Sequence, residues 1–410
     1  MDRAALDKMV SAIIPEGLPG IERLSGIDRQ YYIGDRIEAQ SKDLRGALKK
    51  GLEELLAKMV HIEASDIDLG GGGAAGRVWY RVHGAKRPFP DIDLFSLDQT
   101  DVLLLNILSE TQREILVKYR NLDFSYSASV NGRTMRFRGD MYFDLNHLAL
   151  NMRLIPNKIR PFKSLGLHPN VARSLSLIHV KQGLTLVTGI TGSGKSSTLD
   201  SIIDANNRTV DAHVVIIGAP IETVHEPQRC IIRHREVGRD VRSFKEGTIQ
   251  ALRQDPDIIV IGEMRDPDTI MTALEVTDSG HRVFSTLHTA SAVESIDRII
   301  AECPPIEQER VRMRLADVLT CVISQKLVPS LDDKRVLAKE VMMATSSVKA
   351  AIKNNNTSEI YQMINEGGEE GMITMEQDLR RLHRQGKISQ VEALNYANNK
   401  KRMLELLETM

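Results

Sequence analysis

The chain has 410 residues, of which 42% are hydrophobic and 27% charged, with 54 Lys+Arg against 55 Asp+Glu. That length supports roughly two to four domains with ample core, and the near-balance of charge leaves no bulk field to collect nucleic acid or anionic lipid. An aromatic content of 4% provides no stacking platform for single strands, no apolar run nears the ~20 residues that cross a bilayer, and Met1-Asp2-Arg3 leads into polar sequence without a signal core, so a soluble cytoplasmic enzyme is expected.

Residues 1–50 are polar and charge-rich, with turn signals at Pro15-Glu16-Gly17 and Pro19-Gly20, and read as an N-terminal extension with short helices. Leu44, Leu48, Leu52, Leu55, Leu56 and Met59 then predict a helix over 44–60. Strands are expected at 64–69 and 77–82, joined by Gly70-Gly71-Gly72-Gly73, which lacks the Lys-Ser ending of a phosphate loop and reads as a loose hairpin connection. Helices follow at 98–107 and 112–119. Residues 124–143 are strand-like, with Asn131-Gly132 as a two-residue hairpin signal in their middle. Together these make an α+β domain over 51–156, and Pro156 and Pro161 mark a linker over 157–164.

Beyond it, strands at 183–188, 212–217, 257–261 and 282–286 alternate with helices at 195–204, 244–253, 268–278, 291–301 and 308–320. Such alternation predicts an α/β core, here 165–345, with a mostly parallel sheet covered by helices. Past Pro329 the chain reads as polar and helical to its end. Residues 346–410 form a C-terminal helical segment with breaks at Gly367-Gly368 and Gly386, and residues 398–410 read as a solvated helix. Cys230, Cys303 and Cys321 are far apart and form neither a disulfide framework nor a CxxC pattern; they read as small apolar core residues.

Gly189-Ile190-Thr191-Gly192-Ser193-Gly194-Lys195-Ser196 carries the strongest chemical signal. Two glycines separated by four residues, then Lys and a hydroxyl residue, fit the phosphate-cradling loop, and a strand precedes it and a helix follows as that loop requires. Glycines let backbone amides turn inward on phosphates, and the helix N-terminus adds partial positive charge. Gly189, Thr191, Gly192, Ser193, Gly194, Lys195, Ser196 and Ser197 are therefore the candidate ATP site, with Lys195 reaching the β- and γ-phosphates and Ser196 binding Mg²⁺. In Ile258-Ile259-Val260-Ile261-Gly262-Glu263 a β-branched run delivers Glu263 to a strand end, where ligands collect in open α/β sheets. Glu263 is expected to polarise the attacking water or to hold the water shell of Mg²⁺; the Asp usual in such strands is replaced by Gly262. Asp266-Pro267 reads as an N-cap and first turn. His281 and His288 bracket the next strand, but seven residues apart and with no third ligand near they make a poor zinc site.

In combination, the phosphate loop, Leu252-Arg253-Gln254-Asp255-Pro256-Asp257 running into Ile261-Gly262-Glu263-Met264-Arg265-Asp266, Thr277-Asp278-Ser279-Gly280-His281 and Ser285-Thr286-Leu287-His288-Thr289 resemble the secretion ATPase superfamily. These are the hexameric motors of type II secretion, type IV pili and type IV secretion. The resemblance covers roughly residues 55–385 and is nearest to the pilus retraction, or twitching motility, branch. It implies a RecA-like core, a PAS-like N-terminal domain beginning at Ala64-Ser65-Asp66-Ile67-Asp68-Leu69, and retraction-branch helices around Ala351-Ile352-Lys353-Asn354 and Gly371-Met372-Ile373-Thr374-Met375. It implies a catalytic role for Glu263, matching the Walker B glutamate, and for His281 and His288, matching the His-box pair. Arg136, Arg138 and Arg153 match arginines that approach nucleotide phosphates from the N-terminal domain or a neighbouring subunit, and Arg235 falls beside the acidic box. It also implies a homo-hexamer using ATP and Mg²⁺ at the cytoplasmic face of the inner membrane, attached peripherally through a platform protein.

One departure stands out. Where the family's acidic box usually reads Glu-Asp-Pro-Ile-Glu, this chain has Gly218-Ala219-Pro220-Ile221-Glu222, which leaves Glu222 and Glu263 as the carboxylates near the metal. The four-cysteine zinc module of the extension branch is missing too. The sequence leaves open an ATP-hydrolysing pilus retraction motor, an ATPase of type IV secretion or conjugative transfer, and a nucleotide-binding regulatory subunit with weak hydrolysis.

Overall fold

The computed structural model describes residues 3–15, 24–82, 85–90, 92, 94–130, 132–155, 159–332 and 334–408. The expected turns at 16–17 and 19–20, Asn131 of the hairpin signal and the Pro156 mark lie outside the described residues. The chain divides into two units, one of Met1–Asn157 with Ala219–Thr223, the other of Lys158–Gly218 with Val224–Met410.

The first unit opens with three helices, α1 (Arg3–Ile13), α2 (Gly26–Glu38) and α3 (Lys42–His61). Strands β1 (Asp66–Gly70), β2 (Trp79–Val82) and β3 (Ala85–Pro88) precede α4 (Leu97–Asn106) and α5 (Glu110–Tyr119); β4 (Asn121–Val130), β5 (Arg133–Asp144) and β6 (His147–Ile155) close the unit. The strands form one sheet in the order β3-β2-β1-β6-β5-β4, antiparallel at every pairing. Helices α3, α4 and α5 contact the sheet, and α1 and α2 lie on α4. Serines start these helices: Ser41 caps α3, and Ser96 with Gln99 and Ser109 with Gln112 make capping boxes on α4 and α5. The tetraglycine does join β1 to β2 antiparallel, but it is held rather than loose. Gly71 N–H donates to Leu148 C=O at 2.7 Å and Gly73 N–H to the Asp144 carboxylate at 2.7 Å.

Residues 1–50 look like a polar extension because their apolar positions are sparse, yet Leu6, Val10, Ile13, Ile33 and Ile37 are buried in the same core as Leu52, Leu56 and Met59 of α3. Each such burial is worth roughly 1.5–3 kcal/mol. Their polar neighbours bond to α4, which β6 also contacts. The fully buried Asp101 accepts from Gln30 Nε2 at 3.1 Å and from the Leu148 amide at 2.8 Å, and Arg29 pairs with Asp98.

The second unit begins with α6 (Pro169–Ser174) and alternates β7 (Gly183–Thr188), α7 (Lys195–Thr209), β8 (Ala212–Gly218), β9 (Cys230–Glu236), α8 (Phe244–Ala251), β10 (Ile258–Ile261), α9 (Pro267–Asp278), β11 (Arg282–Leu287), α10 (Ala292–Glu302) and α11 (Gln308–Val318). A hairpin, β12 (Leu319–Pro329) with β13 (Arg335–Met343), leads to α12 (Ser346–Lys353), α13 (Ile360–Glu366), α14 (Met375–Arg384), α15 (Gln390–Tyr396) and α16 (Lys400–Glu408). The sheet order is β13-β12-β7-β11-β10-β8-β9, parallel except for the antiparallel β12–β13 pair. Alternate strand residues feed two cores. Ile259 and Ile261 join α9, α10 and α11, whereas Ile258 and Val260 join α6 and α7.

The four strands expected from the sequence are present. Two expectations fail beyond them. The stretch past Pro329 is a strand, β13, before it is helical, and α16 is not simply solvated, since Met403 and Leu407 are buried beside Leu379 and Leu382 of α14.

Candidate nucleotide site

The phosphate loop leaves the carboxyl end of β7, the third strand in a sheet buried on both faces. Gly189 sits at φ +148, where a Cβ would lie 2.4 Å from both Gln325 C=O and Ser193 Oγ, so only glycine fits. Gly194, at φ +89, is the N-cap of α7 and hands the chain to the helix whose first residue is Lys195. Lys195 Nζ donates to Gly189 C=O at 2.8 Å and Ile190 C=O at 3.2 Å. The ammonium thus rests on loop carbonyls in the place where phosphate oxygens would take its protons. Thr191, Ser196 and Ser197 are exposed on the open side, and the buried Ser193 Oγ has no hydrogen-bond partner among the described residues.

Gly262, just past β10, abuts β8: a Cβ there would lie 3.0 Å from Ile217 C=O and 3.3 Å from Gly218 Cα. That close approach is a physical reason for glycine where an Asp is usual, and it makes Glu263 the first carboxylate beyond the strand. Glu263 is mostly buried, its carboxylate 3.0 Å from His288 Nε2 and paired with Arg265. His288 Nδ1 lies 3.4 Å from Thr191 Oγ1. With Nε2–H donating to Glu263, Nδ1 is free to accept from the Thr191 hydroxyl, so one imidazole joins the strand-end carboxylate to the phosphate loop. Burial, and then Lys195, push the His288 pKa below its ordinary value, and the Glu263 charge opposes them. The ring is therefore neutral at pH 7.

The other expected residues fall elsewhere. His281 stands at the opposite end of β11, its Nδ1 between Ser279 Oγ at 3.1 Å and Val276 C=O at 3.2 Å. Parallel strands place only their carboxyl ends at the loop, so His281 and His288 do not share a site in this chain. Arg235, on β9, donates to Gln250 Oε1 at 2.8 Å and to Asp240 C=O at 3.3 Å. In the first unit, Arg136 on β5 donates to Ile221 C=O at 2.6 Å. Arg138 pairs with Asp123 at 3.4 Å and Glu222 at 3.1 Å. Arg153, on β6 and largely exposed, pairs with Asp66 at 2.8 Å. Glu222 therefore belongs with the first unit, as the partner of Arg138.

Sequence reasoning passed over three residues that support the site. Gln325 on β12 is buried and donates to Ser193 C=O at 2.8 Å, bracing the loop from beneath; a Gln inside the apolar run of 321–328 was the available signal. Arg298 donates to His288 C=O at 3.1 Å, and Arg265 pairs with Glu263. Arg265 stands inside the motif around Glu263, whereas nothing short of the fold marks Arg298.

A glycine-rich loop between an inner strand of a mostly parallel sheet and a helix N-terminus, facing a strand-end glutamate, defines a P-loop nucleotide-binding protein. The comparisons with known proteins narrow that class. The profile of the type II/IV secretion system protein family matches residues 41–406. The type IV pilus retractation ATPase PilT of Pseudomonas aeruginosa is 38% identical over 344 residues, 83% of this chain and 96% of that protein. A twitching motility protein of Neisseria gonorrhoeae is 36% identical over 79% of this chain and 85% of its own length. A crystal structure of the pilus retraction motor PilT with bound ADP superposes with a TM-score of 0.76 at 36% identity, over 86% of this chain and 98% of that one. The chain belongs to the type II/IV secretion system protein family, a family of ATPases. The family profile begins within α3's N-cap region, so α1 and α2 precede it. No helix among the described residues is long and apolar enough to cross a membrane.

Proposed function

We propose that this protein is an ATP-hydrolysing motor that works as a homo-hexamer to power type IV pilus retraction, bound at the cytoplasmic face of the inner membrane through a platform protein. The observation that carries the reading is the Glu263–His288–Thr191 linkage, which ties a strand-end carboxylate to a phosphate loop whose lysine rests on exchangeable carbonyl partners. ATP phosphates fit the loop: Lys195 trades its carbonyls for β- and γ-oxygens, and the α7 N-terminus faces the same charge. Glu263 orients the attacking water, and neutral His288 passes the position of Glu263 on to Thr191. The exposed Ser196 hydroxyl and Glu263, the latter through water, suit Mg²⁺, a hard cation that keeps several waters. When bound, Mg²⁺ neutralises charge on the β- and γ-oxygens. Arg136, Arg138 and Arg153 serve in this reading as arginines for phosphate oxygens of a neighbouring subunit, Arg138 after leaving Glu222. Arg235 would reach the nucleotide in this reading only after leaving Gln250 and the Asp240 carbonyl.

The altered acidic box favours a second reading, a nucleotide-binding regulator with weak hydrolysis. Gly218 and Ala219 offer no side-chain ligand, and Glu222 is engaged by Arg138. Type IV secretion or conjugative transfer is the remaining alternative for a working motor. Steady-state ATPase assay beside nucleotide titration separates motor from regulator. Turnover is expected for wild type, and nucleotide binding without any hydrolysis, platform protein present, would decide for the regulator. Deleting the gene in its host should leave pili assembled but unable to retract, and intact retraction would move the assignment to secretion.

A further inference from the structure

Away from the phosphate loop, three charged side chains meet in the interior of the second unit. Glu340, on β13 and 2% exposed, accepts from the Ala292 amide at 2.8 Å. Glu376, in the first turn of α14 and fully buried, accepts from the Asn399 amide at 2.7 Å and the Tyr361 hydroxyl at 3.1 Å. Lys326, on β12, donates to Tyr396 C=O at 2.7 Å and to Asn398 Oδ1 at 2.6 Å. Glu376 from α14, Lys326 from β12 and Tyr361 from α13 interact electrostatically with Glu340, which also accepts from the Met375 amide at the start of α14, and Glu294 of α10 acts on Lys326. Both carboxylates lie in the field of one lysine, and burial raises Glu340 to about 7, so its carboxyl becomes increasingly protonated as pH falls below neutral.

What the cluster touches gives it a role. Ala292 is the first residue of α10, and the residues just before it are the loop that carries His288. That loop is fixed at each position: Arg298 holds His288 C=O, Ser295 bonds Thr289 at 2.6 Å, Glu294 accepts from the Ala290 amide at 2.7 Å, and Asn398 donates to Ala290 C=O at 3.2 Å. Glu340 and Asn398 anchor the backbone of this stretch from β13 and the C-terminal segment, and Lys326 and Glu376 fasten the C-terminal helices to the same spot.

We propose that Glu340 is a positioning residue for ATP hydrolysis: with Lys326 and Glu376 it locks α14–α16 onto β12 and β13, and through the Ala292 amide it sets where the loop places His288 against Glu263 and Thr191. The inference rests on the proposed ATPase function. It predicts a loss of turnover without a matching loss of binding, because the phosphate loop is not its target. Glu340→Gln keeps an acceptor for the Ala292 amide, whereas Glu340→Ala removes it.

The experiment is steady-state ATPase assay, nucleotide titration and amide hydrogen exchange on the full chain. Glu340→Ala should lower kcat about ten-fold or more with the Kd for ADP within about three-fold, and Glu340→Gln should restore kcat to within about two-fold. In a His288→Ala background Glu340→Ala should add little, since the two act in one line. Exchange should quicken at 288–292 and stay unchanged in α7. If Glu340→Ala does not fold, the exposed Asn398→Ala tests the other anchor, with the same exchange pattern and a smaller fall in kcat. Losses that multiply independently of His288, or unchanged exchange at 288–292 in either variant, would overturn the proposal. A wild type without turnover would sink the ATPase reading alone, because the exchange arm still judges the lock.

Discussion

The two ends of β11 carry similar residues and do opposite things. At the carboxyl end His288 faces Glu263 and the phosphate loop, partly exposed and kept neutral. At the amino end His281 folds back on its own turn, and the next residue, Arg282, is among the most deeply buried side chains of the protein. Arg282 donates to Gly183 C=O at 3.0 Å, Ser174 C=O at 2.7 Å, Thr185 Oγ1 at 2.7 Å and Thr320 Oγ1 at 2.9 Å, and stacks 4.7 Å from the Phe284 ring centroid. Burial drives its pKa down to about 10 and no carboxylate among the described residues pairs with it. A charged group surrounded only by neutral acceptors closes the floor of the sheet; a carboxylate and an imidazole left partly open at the other end can act on a ligand. Parallel strands separate the two tasks by construction.

The largest expected effects lie at the open end. Lys195→Ala should abolish tight nucleotide binding or hydrolysis with the fold intact, because that lysine's present partners are loop carbonyls rather than core groups. Glu263→Gln should keep ATP affinity within a few-fold and lower kcat by about 10²-fold or more, the scale of a lost positioned catalytic group. Equal losses of affinity and kcat in Glu263→Gln would mean it binds rather than orients. At the closed end Arg282→Met should act the other way round. It strands four acceptors and should cost on the order of 3 kcal/mol of stability, read by thermal denaturation, with ADP affinity of the folded fraction unchanged. A variant as stable as wild type would remove the contrast drawn here.

The histidine pair sharpens the comparison at smaller amplitude. His288→Ala should reduce kcat by roughly ten-fold, and its wild-type counterpart should lose turnover only as pH falls below the ordinary histidine range, since a depressed pKa keeps the ring neutral above it. His281→Ala should cost far less in the same assay. Equal losses would indicate that His281 reaches a nucleotide in a neighbouring subunit.

The legible parts of the sequence were those whose logic is local. Ile258 to Ile261 is a β-branched run with a turn on either side, and the phosphate loop is a contiguous string. Asp266 and Pro267 announce α9, and the structure has Asp266 capping the Thr269 amide at 2.9 Å. β13 was hidden because Lys339 and Glu340 break its apolar pattern, and both are satisfied by partners far along the chain: the Lys339 ammonium lies 3.9 Å from the Asp378 carboxylate, and the Ala292 amide donates to Glu340. The same cause hid α1 and α2 as core elements, because Arg29 and Gln30 find their carboxylates some seventy residues on. In the site, Glu263 and His288 were readable as motif members, and the placing of His281 and His288 on either side of one strand already separated them, although the family pairing grouped them.

The smallest effect tests the interior lock as a charge problem, distinct from its role in turnover. An ordinary glutamate near 4.5 is raised in Glu340 to about 7, so the fold favours the neutral acid. Stabilisation from such a group is complete below the unfolded value and is lost as pH rises through the folded one. Wild type should therefore lose thermal stability between pH 5 and pH 8 relative to Glu340→Gln, whose carboxamide is neutral throughout. The gap should be only a few degrees, on a scale of roughly 2–4 °C per kcal/mol for chains somewhat shorter than this one. Thermal denaturation of both proteins across that range reads it directly, because titrating groups outside the cluster cancel in the difference. Parallel curves would show that Lys326 compensates both carboxylates as ions, and the lock would then be an ordinary salt-bridge triad rather than a proton-holding one.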